Sequence, residues 1–201
     1  LQDGRMIFNG AIFKSEYDDK QESILIPVNL ANVATVVRNA ASMEMMGLEL
    51  ELQYQVTAAW DLMVNYGYLE AEYKDYLADL NGDNVVTDNS SLIPRNTPEN
   101  TFGFTTSYTT QIGDGELKGR LSYRFRDEMN SDSSNNPLGD LDSIENVNAT
   151  ISYSLENYSV SVWGRNLTDE REQRWATIGG LTSRGWWNEP ATLGITFSAS
   201  Y

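Results

Sequence analysis

A two-residue alternation of apolar and polar side chains constrains this chain more than any other feature. In "GLELELQYQV", Leu48, Leu50, Leu52, Tyr54 and Val56 are apolar, while Gly47, Glu49, Glu51, Gln53 and Gln55 are not. The rhythm returns in "WDLMVNYGY", which sets Trp60, Leu62, Val64, Tyr66 and Tyr68 against Asp61, Asn65 and Gly67. It returns again in "TFGFTTSYTT", "LKGRLSYRFR", "VNATISYSL", "YSVSVWG" and the closing "TLGITFSASY". A period of two is the repeat of a β-strand with one apolar face. The segment "RMIFNGAIFKSEYDD" also reads as a strand, but its parity is mixed and assigns no apolar face.

The connections between strands alternate in length. Three are tight, near 57–59, at Gly113-Asp114-Gly115 and at Glu156-Asn157, and four are long, about 19–42, 75–98, 127–143 and 167–190. About eight strands in an antiparallel up-and-down order follow from this count. Tight turns at one end and long loops at the other are the layout of a transmembrane β-barrel. A soluble β-sandwich has no reason to alternate its loops so regularly.

The polar faces say which compartment each side meets. Glu49, Glu51, Asp61, Lys118, Arg120, Arg124 and Arg126 share the non-apolar parity. In hydrocarbon such charges cost several kcal/mol each, so they should line an aqueous or protein-filled lumen. The other face carries Tyr54, Trp60, Tyr66, Tyr68, Tyr108, Tyr123, Tyr153 and Tyr158, several near strand ends, as in an aromatic girdle.

Composition narrows function by exclusion. The chain has 201 residues, no run of ~18 apolar residues long enough for a membrane helix, and a formal charge of -15. That charge argues against nucleic acid as a partner. There is no Cys and no His, which removes thiolate and imidazole metal sites and the Ser-His-Asp and Cys-His catalytic groupings. Glu49 and Glu51 form a carboxylate pair on one face, but without a partner group the plain reading is solvation or contact with whatever fills the lumen. No enzyme is expected. The chain opens at Leu1 without Met or a leader, and the expectation is a piece of a longer protein.

Several segments resemble one family. "NLTDEREQRW", Asn166 to Trp175, is similar to the segment that opens the last external loop of TonB-dependent receptors. "EPATLGITFSASY", Glu189 to Tyr201, resembles their closing strand, with a Pro before it and an aromatic residue at its end. "NAASMEMMGLELELQYQV", "GYLEAEY" and "IPRNTPENTFGFTTSY" follow in the family's order, so the resemblance covers nearly the whole chain.

The resemblance implies an outer-membrane active transporter of Gram-negative bacteria. Its barrel has roughly 22 strands closed around an N-terminal plug. TonB, driven by the inner-membrane proton gradient, moves the plug so that a bound ligand passes: an iron-siderophore, haem, cobalamin or an oligosaccharide. Residues 1–201 would be a C-terminal portion of that barrel, without the plug, and an open curved sheet. Eight strands also suffice to close a small barrel with a structural or passive-pore role, and that alternative stands beside it. The implied partners are outer-membrane lipid, the receptor's own plug, TonB and the barrel-assembly machinery. The assembly signal would be carried by Leu193, Ile195, Phe197 and Tyr201.

Two loops carry further candidates. In "DLNGDNVVTDNS", Asp79, Asn81 and Asp83 occupy the first, third and fifth positions of an EF-like calcium loop, with Asp88 nearby. The twelfth position is Ser90 rather than Glu, and Asn, Asp and Gly favour turns for local reasons, so a solvated turn without any cofactor competes with calcium. In the last long loop, Trp175, Trp186 and Trp187 can stack on a sugar or an aromatic siderophore, and Arg171, Arg174 and Arg184 can attract an anionic ligand. The competing reading places the tryptophans in the girdle or the loop core and pairs Arg171, Arg174 and Arg184 with Glu170, Glu172 and Glu189.

Overall fold

The computed structural model describes residues 4–29, 32–81, 83–171, 173–179 and 182–200, and the side chains of 4–23, 34, 36, 37, 39, 41–81, 83–171, 173 and 185–200. Tyr201 lies outside the described residues, as do the side chains of Trp175 and Arg184. The strands are β1 Met6–Asn29, β2 Asn32–Thr57, β3 Trp60–Ala78, β4 Thr87–Asp88, β5 Asn100–Ile112, β6 Gly115–Arg126, β7 Met129–Asn130, β8 Asp140–Leu141, β9 Ile144–Leu155, β10 Tyr158–Arg165, β11 Gln173–Gly179, β12 Thr182–Trp187 and β13 Thr192–Ala199. One antiparallel sheet runs in the order β1-β2-β3-β5-β6-β9-β10-β13, with the short β4 added to β3. β1 and β13 are its two edges and do not pair, so the eight long strands form an open section and not a closed small barrel.

Register places the apolar parity of every strand on one side. Met6 faces Tyr54, Tyr54 faces Leu62, Leu62 faces Thr106, and the row continues through Leu121, Ala149, Gly164 and Leu193. This row starts at the tight-turn end of β1 and finishes at the long-loop end of β13. The strands are therefore staggered, as closure into a tilted barrel demands. Residues on this face stand bare: Ile12 is 87% exposed, and Leu193, Ile195 and Phe197 are 75%, 74% and 69% exposed. Each would contribute roughly 1.5–3 kcal/mol if covered by an apolar medium, which is what lipid supplies.

The opposite face carries polar side chains, and described cavities open on it. Asn65, Arg120, Ser122 and Arg124 line one, and Thr150, Ser161 and Thr196 line another, so the polar face is the concave one. The mixed parity of β1 has a local cause. Ile7 and Phe13 join the polar side, where the Phe13 ring lies over Gly47 of β2, its register partner.

The apolar side ends abruptly toward the long loops. Beyond Ile12, Leu48 and Tyr68, the same side carries Lys14 and Glu16 of β1, Glu44 of β2, and Glu70, Glu72 and Lys74 of β3. Lys14 pairs with Glu16 at 2.8 Å and with Glu44 at 2.9 Å, and Lys74 pairs with Glu72 and, at 3.7 Å, with Glu44. Exposed pairs contribute about 0–1 kcal/mol, so this ladder marks a boundary more than it stabilises one.

One expected loop is a strand. Residues 19–42 continue β1 and β2 as a hairpin, paired from Lys20–Ala41 to Asn29–Asn32. A bulge at Asp18-Asp19, with Asp19 at φ 54, separates it from the part below. Above the apolar band, "SILIPVNLANVATVV" carries apolar residues at both parities, so the alternation test passes over it. The 167–190 loop likewise holds the β11–β12 hairpin, and the 127–143 loop holds β7, β8 and a turn of 3-10 helix at Pro137–Gly139. Ala41, Met43, Tyr73, Tyr76 and Ala78 form a buried cluster at this loop end, on the polar side of the sheet.

Candidate functional site

A cavity of about 890 Å³ lies against the polar face of β5, β6 and β9 and is roofed by residues 186–190. Strand alternation supplies its wall: Arg120, Ser122 and Arg124 from β6, and Asn146 and Asn148 from β9. Arg165 ends β10, with its guanidinium 5.1 Å from the centre of the Trp163 ring.

Asn166, the first residue of "NLTD", fixes the roof. It is buried and sits in the left-handed region at φ 49, a conformation that Asn tolerates better than most residues. Its backbone N–H donates to Asn148 Oδ1 at 2.9 Å, and its side-chain oxygen accepts from Asn146 Nδ2 at 3.1 Å and from Glu170 N at 3.2 Å. Its Nδ2 donates to the carbonyls of Glu170 and Glu189, both at 3.0 Å. Asn188 Nδ2 donates to Glu170 O at 2.9 Å, and Ala191 N donates to Asp169 Oδ1 at 2.9 Å. The motif thus ties the return of the last loop to the end of β10 and sets where Trp186 and Trp187 stand. Among the sequence candidates, Trp186 and Trp187 reach the cavity and both are exposed. Trp175 faces Trp186 in the β11–β12 register, and Arg184 faces Thr177, with their side chains outside the description.

The 79–90 loop is closed by its own bonds. Asp79 accepts from Asn81 N at 3.2 Å and Asn84 N at 2.8 Å, Asn81 accepts from Asp83 N at 3.1 Å, and Asp83 accepts from Val85 N at 2.7 Å. Asp88 accepts from the N–H and hydroxyl of Ser90, which hold its carboxyl below the usual carboxylate range. Leu193, Ile195 and Phe197 lie together on the bare apolar side of β13.

A second polar site escapes any reading of the alternation. Glu22 of the β1–β2 hairpin is fully buried. Tyr73 Oη donates to its Oε1 at 2.9 Å, Arg95 Nε lies 3.3 Å from its Oε2, and Lys20 completes an ion pair. Burial pushes the Tyr73 hydroxyl up to about 12. Ser133 Oγ donates to the carbonyl of Ser23 at 3.0 Å, and Asn135 exchanges two bonds with the backbone of Ile93. The hairpin and the two following loops are one bonded unit. The only hint in the sequence is an acid just before an apolar run, "ESILIPV".

Residues 1–167 match the family described as TonB dependent receptor-like, beta-barrel. Three solved structures are similar along nearly all of the chain. The ferric yersiniabactin uptake receptor FyuA from Yersinia pestis matches at TM-score 0.77 and 16% identity, over 98% of this chain and 28% of its own. The siderophore receptor PiuA from Acinetobacter baumannii matches at 0.74 and 20%, over 99% and 26%. The ferric-catecholate import receptor Fiu from E. coli K12 matches at 0.71 and 19%, over 99% and 26%. At these identities the likeness is one of fold, and the chain spans about a quarter of the length of those receptors.

Proposed function

The chain belongs to the TonB-dependent receptor-like β-barrel family, and from that premise we propose that it forms part of the wall and external loops of an outer-membrane receptor importing a scarce ligand such as an iron-siderophore. The observation that carries this reading is the single apolar face running across eight staggered strands, backed by a charged concave face. Lipid would cover the first, and the plug and passing ligand would occupy the second. Trp175, Arg184, Trp186 and Trp187 are the proposed ligand contacts, and the Leu193, Ile195, Phe197 and Tyr201 strand end the proposed signal to the barrel-assembly machinery. TonB acts on the plug, so transport is a property of the whole receptor. Calcium in the 79–90 loop is a separate proposal, and the loop's own hydrogen bonds favour the ion-free reading.

Uptake by iron-limited cells tests the transport reading. Radiolabelled ferric siderophores are supplied to cells with and without the receptor, in the presence and absence of TonB. Accumulation that needs both supports it. Growth and accumulation indifferent to both would overturn it.

A further inference from the structure

The chain has four lysines, and three of them are matched to a carboxylate. Lys14 pairs with Glu16 and Glu44, Lys20 with Glu22, and Lys74 with Glu72 and Glu44. Lys118 of β6 has no such partner among the described residues, although the chain carries 29 Asp+Glu against 14 Lys+Arg. Arg120, the next residue on the same face of β6, makes no ion pair among the described residues either, and both side chains are exposed.

Register gives the reason. Lys118 faces Thr109 of β5 and Ser152 of β9, and Arg120 faces Ser107 and Thr150. All four neighbours are short and uncharged, so both cations stand clear of the wall. The acids of the concave side are out of reach. Glu49 and Glu51 lie on β2, three strands from β6, which is ~14 Å at the usual strand spacing. Glu51 is also occupied, accepting from Gln53 Nε2 at 2.7 Å and Asn9 Nδ2 at 3.3 Å. Asp61 shares the row of Arg120 but stands two strands away, ~10 Å by the same spacing. Physiological salt screens exposed charges over ~8 Å, so these acids do not neutralise the pair.

Position and charge then select the occupant. Lys118 and Arg120 lie in the half of β6 that starts at the tight turn Gly113-Asp114-Gly115, away from the 186–190 roof. The cavity beside Arg120, lined also by Arg5, Gln53, Asp61 and Ser107, measures about 290 Å³. Small-molecule sites start at about 300 Å³ and enclose their ligand, whereas this is a shallow groove of the kind a protein surface covers. The Cα atoms of Lys118 and Arg120 are ~7 Å apart along the strand, a spacing met by acids two apart on an extended segment. Complementary charge of this sort fixes register between two surfaces.

We propose that Lys118 and Arg120 form a docking surface for an acidic segment of the receptor's plug. The proposal rests on the reading of this chain as receptor wall, and adds which strand the plug grips and with which sign of charge.

The full-length receptor in detergent is treated with a water-soluble carbodiimide, which activates carboxylates and couples them to lysine amines in contact with them, and the joined peptides are mapped by mass spectrometry. Lys14 and Lys74, in contact with Glu16 and Glu72, report that the reaction works. Lys118 should join to an Asp or Glu of the plug, Lys118→Arg should abolish that link, and Arg120→Lys should add a second link to the same segment. Lys118→Glu/Arg120→Glu should speed amide exchange of the plug about 10- to 100-fold, and reversing the linked acid to Lys should restore it. Heat-modifiable migration checks that the barrel of each variant folds. Lys118 left unlinked, or linked only within the wall while the Lys14 and Lys74 links form, overturns the proposal. So does a Lys118 amine that acylates freely until citrate is added, which would give the surface to a free anion. An unlinked Lys118 in a receptor with intact TonB-dependent uptake would sink this inference and leave the transport reading standing. A Lys118–plug link in a receptor that imports no ferric siderophore would do the reverse.

Discussion

Tyr73 of β3 donates a 2.9 Å hydrogen bond to the fully buried carboxylate of Glu22, although 51 residues separate them. Arg95 and Lys20 complete the group, so one side chain joins the first hairpin to the wall and to the following loop. Removing one partner of a fully buried pair costs about 3–5 kcal/mol, and less here, because the Lys20 and Arg95 left behind are partly open to water. Glu22→Ala should therefore release the outer loops without unfolding the wall. Hydrogen exchange in detergent should accelerate at residues 20–23, 39–43 and 93–97, with β6, β9 and β10 unchanged. Uniform acceleration, or none, would contradict the role given to Glu22.

The same group makes an alkaline prediction. Burial holds the Tyr73 hydroxyl up at about 12 in the folded protein, above the ordinary tyrosine value of about 10. The unfolded chain thus loses this proton first as pH rises. The stability Tyr73 confers is complete below about pH 10 and declines between about pH 10 and 12. A thermal-melt series should show that decline, and Tyr73→Phe should flatten part of it. A wild-type curve that matches the variant throughout would refute the assignment.

A Cβ built on Gly47 would run into the Phe13 ring and meet the Tyr68 carbonyl oxygen at 2.8 Å. The ring can swing away, but the carbonyl belongs to the ladder. Gly47→Val should cost about 1–3 kcal/mol by overpacking, and Phe13→Ala in the same chain should restore only part of it. Urea refolding into detergent micelles measures both. Full rescue by Phe13→Ala would show that the backbone contact does not matter.

Legibility in the sequence followed the apolar face. Where one side of the sheet is uniformly apolar, as along Leu48–Val56 or Val147–Leu155, parity alone placed the residues, and the register across the sheet agrees. Beyond that apolar band the rule fails: residues 19–42 read as a loop and are a hairpin, because apolar residues there stand at both parities. β1 read as mixed because Phe13 covers a glycine on the polar side. Trp186 and Trp187 were visible as residue types, and their placement needed the Asn166 hub, whose partners come from β9 and from both sides of the last loop. The role of Glu22 was invisible, since Tyr73 and Arg95 lie 51 and 73 residues away and no local pattern encodes them.

The 79–90 loop should not need an ion. Its carboxylates already accept N–H bonds from their own turn, and Asp88 is occupied by Ser90. Calorimetric titration with calcium up to about 1 mM, the weak end of extracellular sites, should give no saturable heat. Saturable binding abolished by Asp79→Ala would establish the cation site instead.

The central claim is that one face of this sheet meets lipid and the other the barrel lumen. The chain contains no Cys, so single cysteines can be placed one at a time from Val147 to Leu155 in the full-length receptor and spin-labelled in bilayers. Collision rates with oxygen, which concentrates in lipid, and with a water-soluble nickel chelate then report the surroundings of each site. Labels at residues 147, 149, 151, 153 and 155 should favour oxygen, and those at 148, 150, 152 and 154 should not, giving a period of two. A reversed or aperiodic profile would contradict the account.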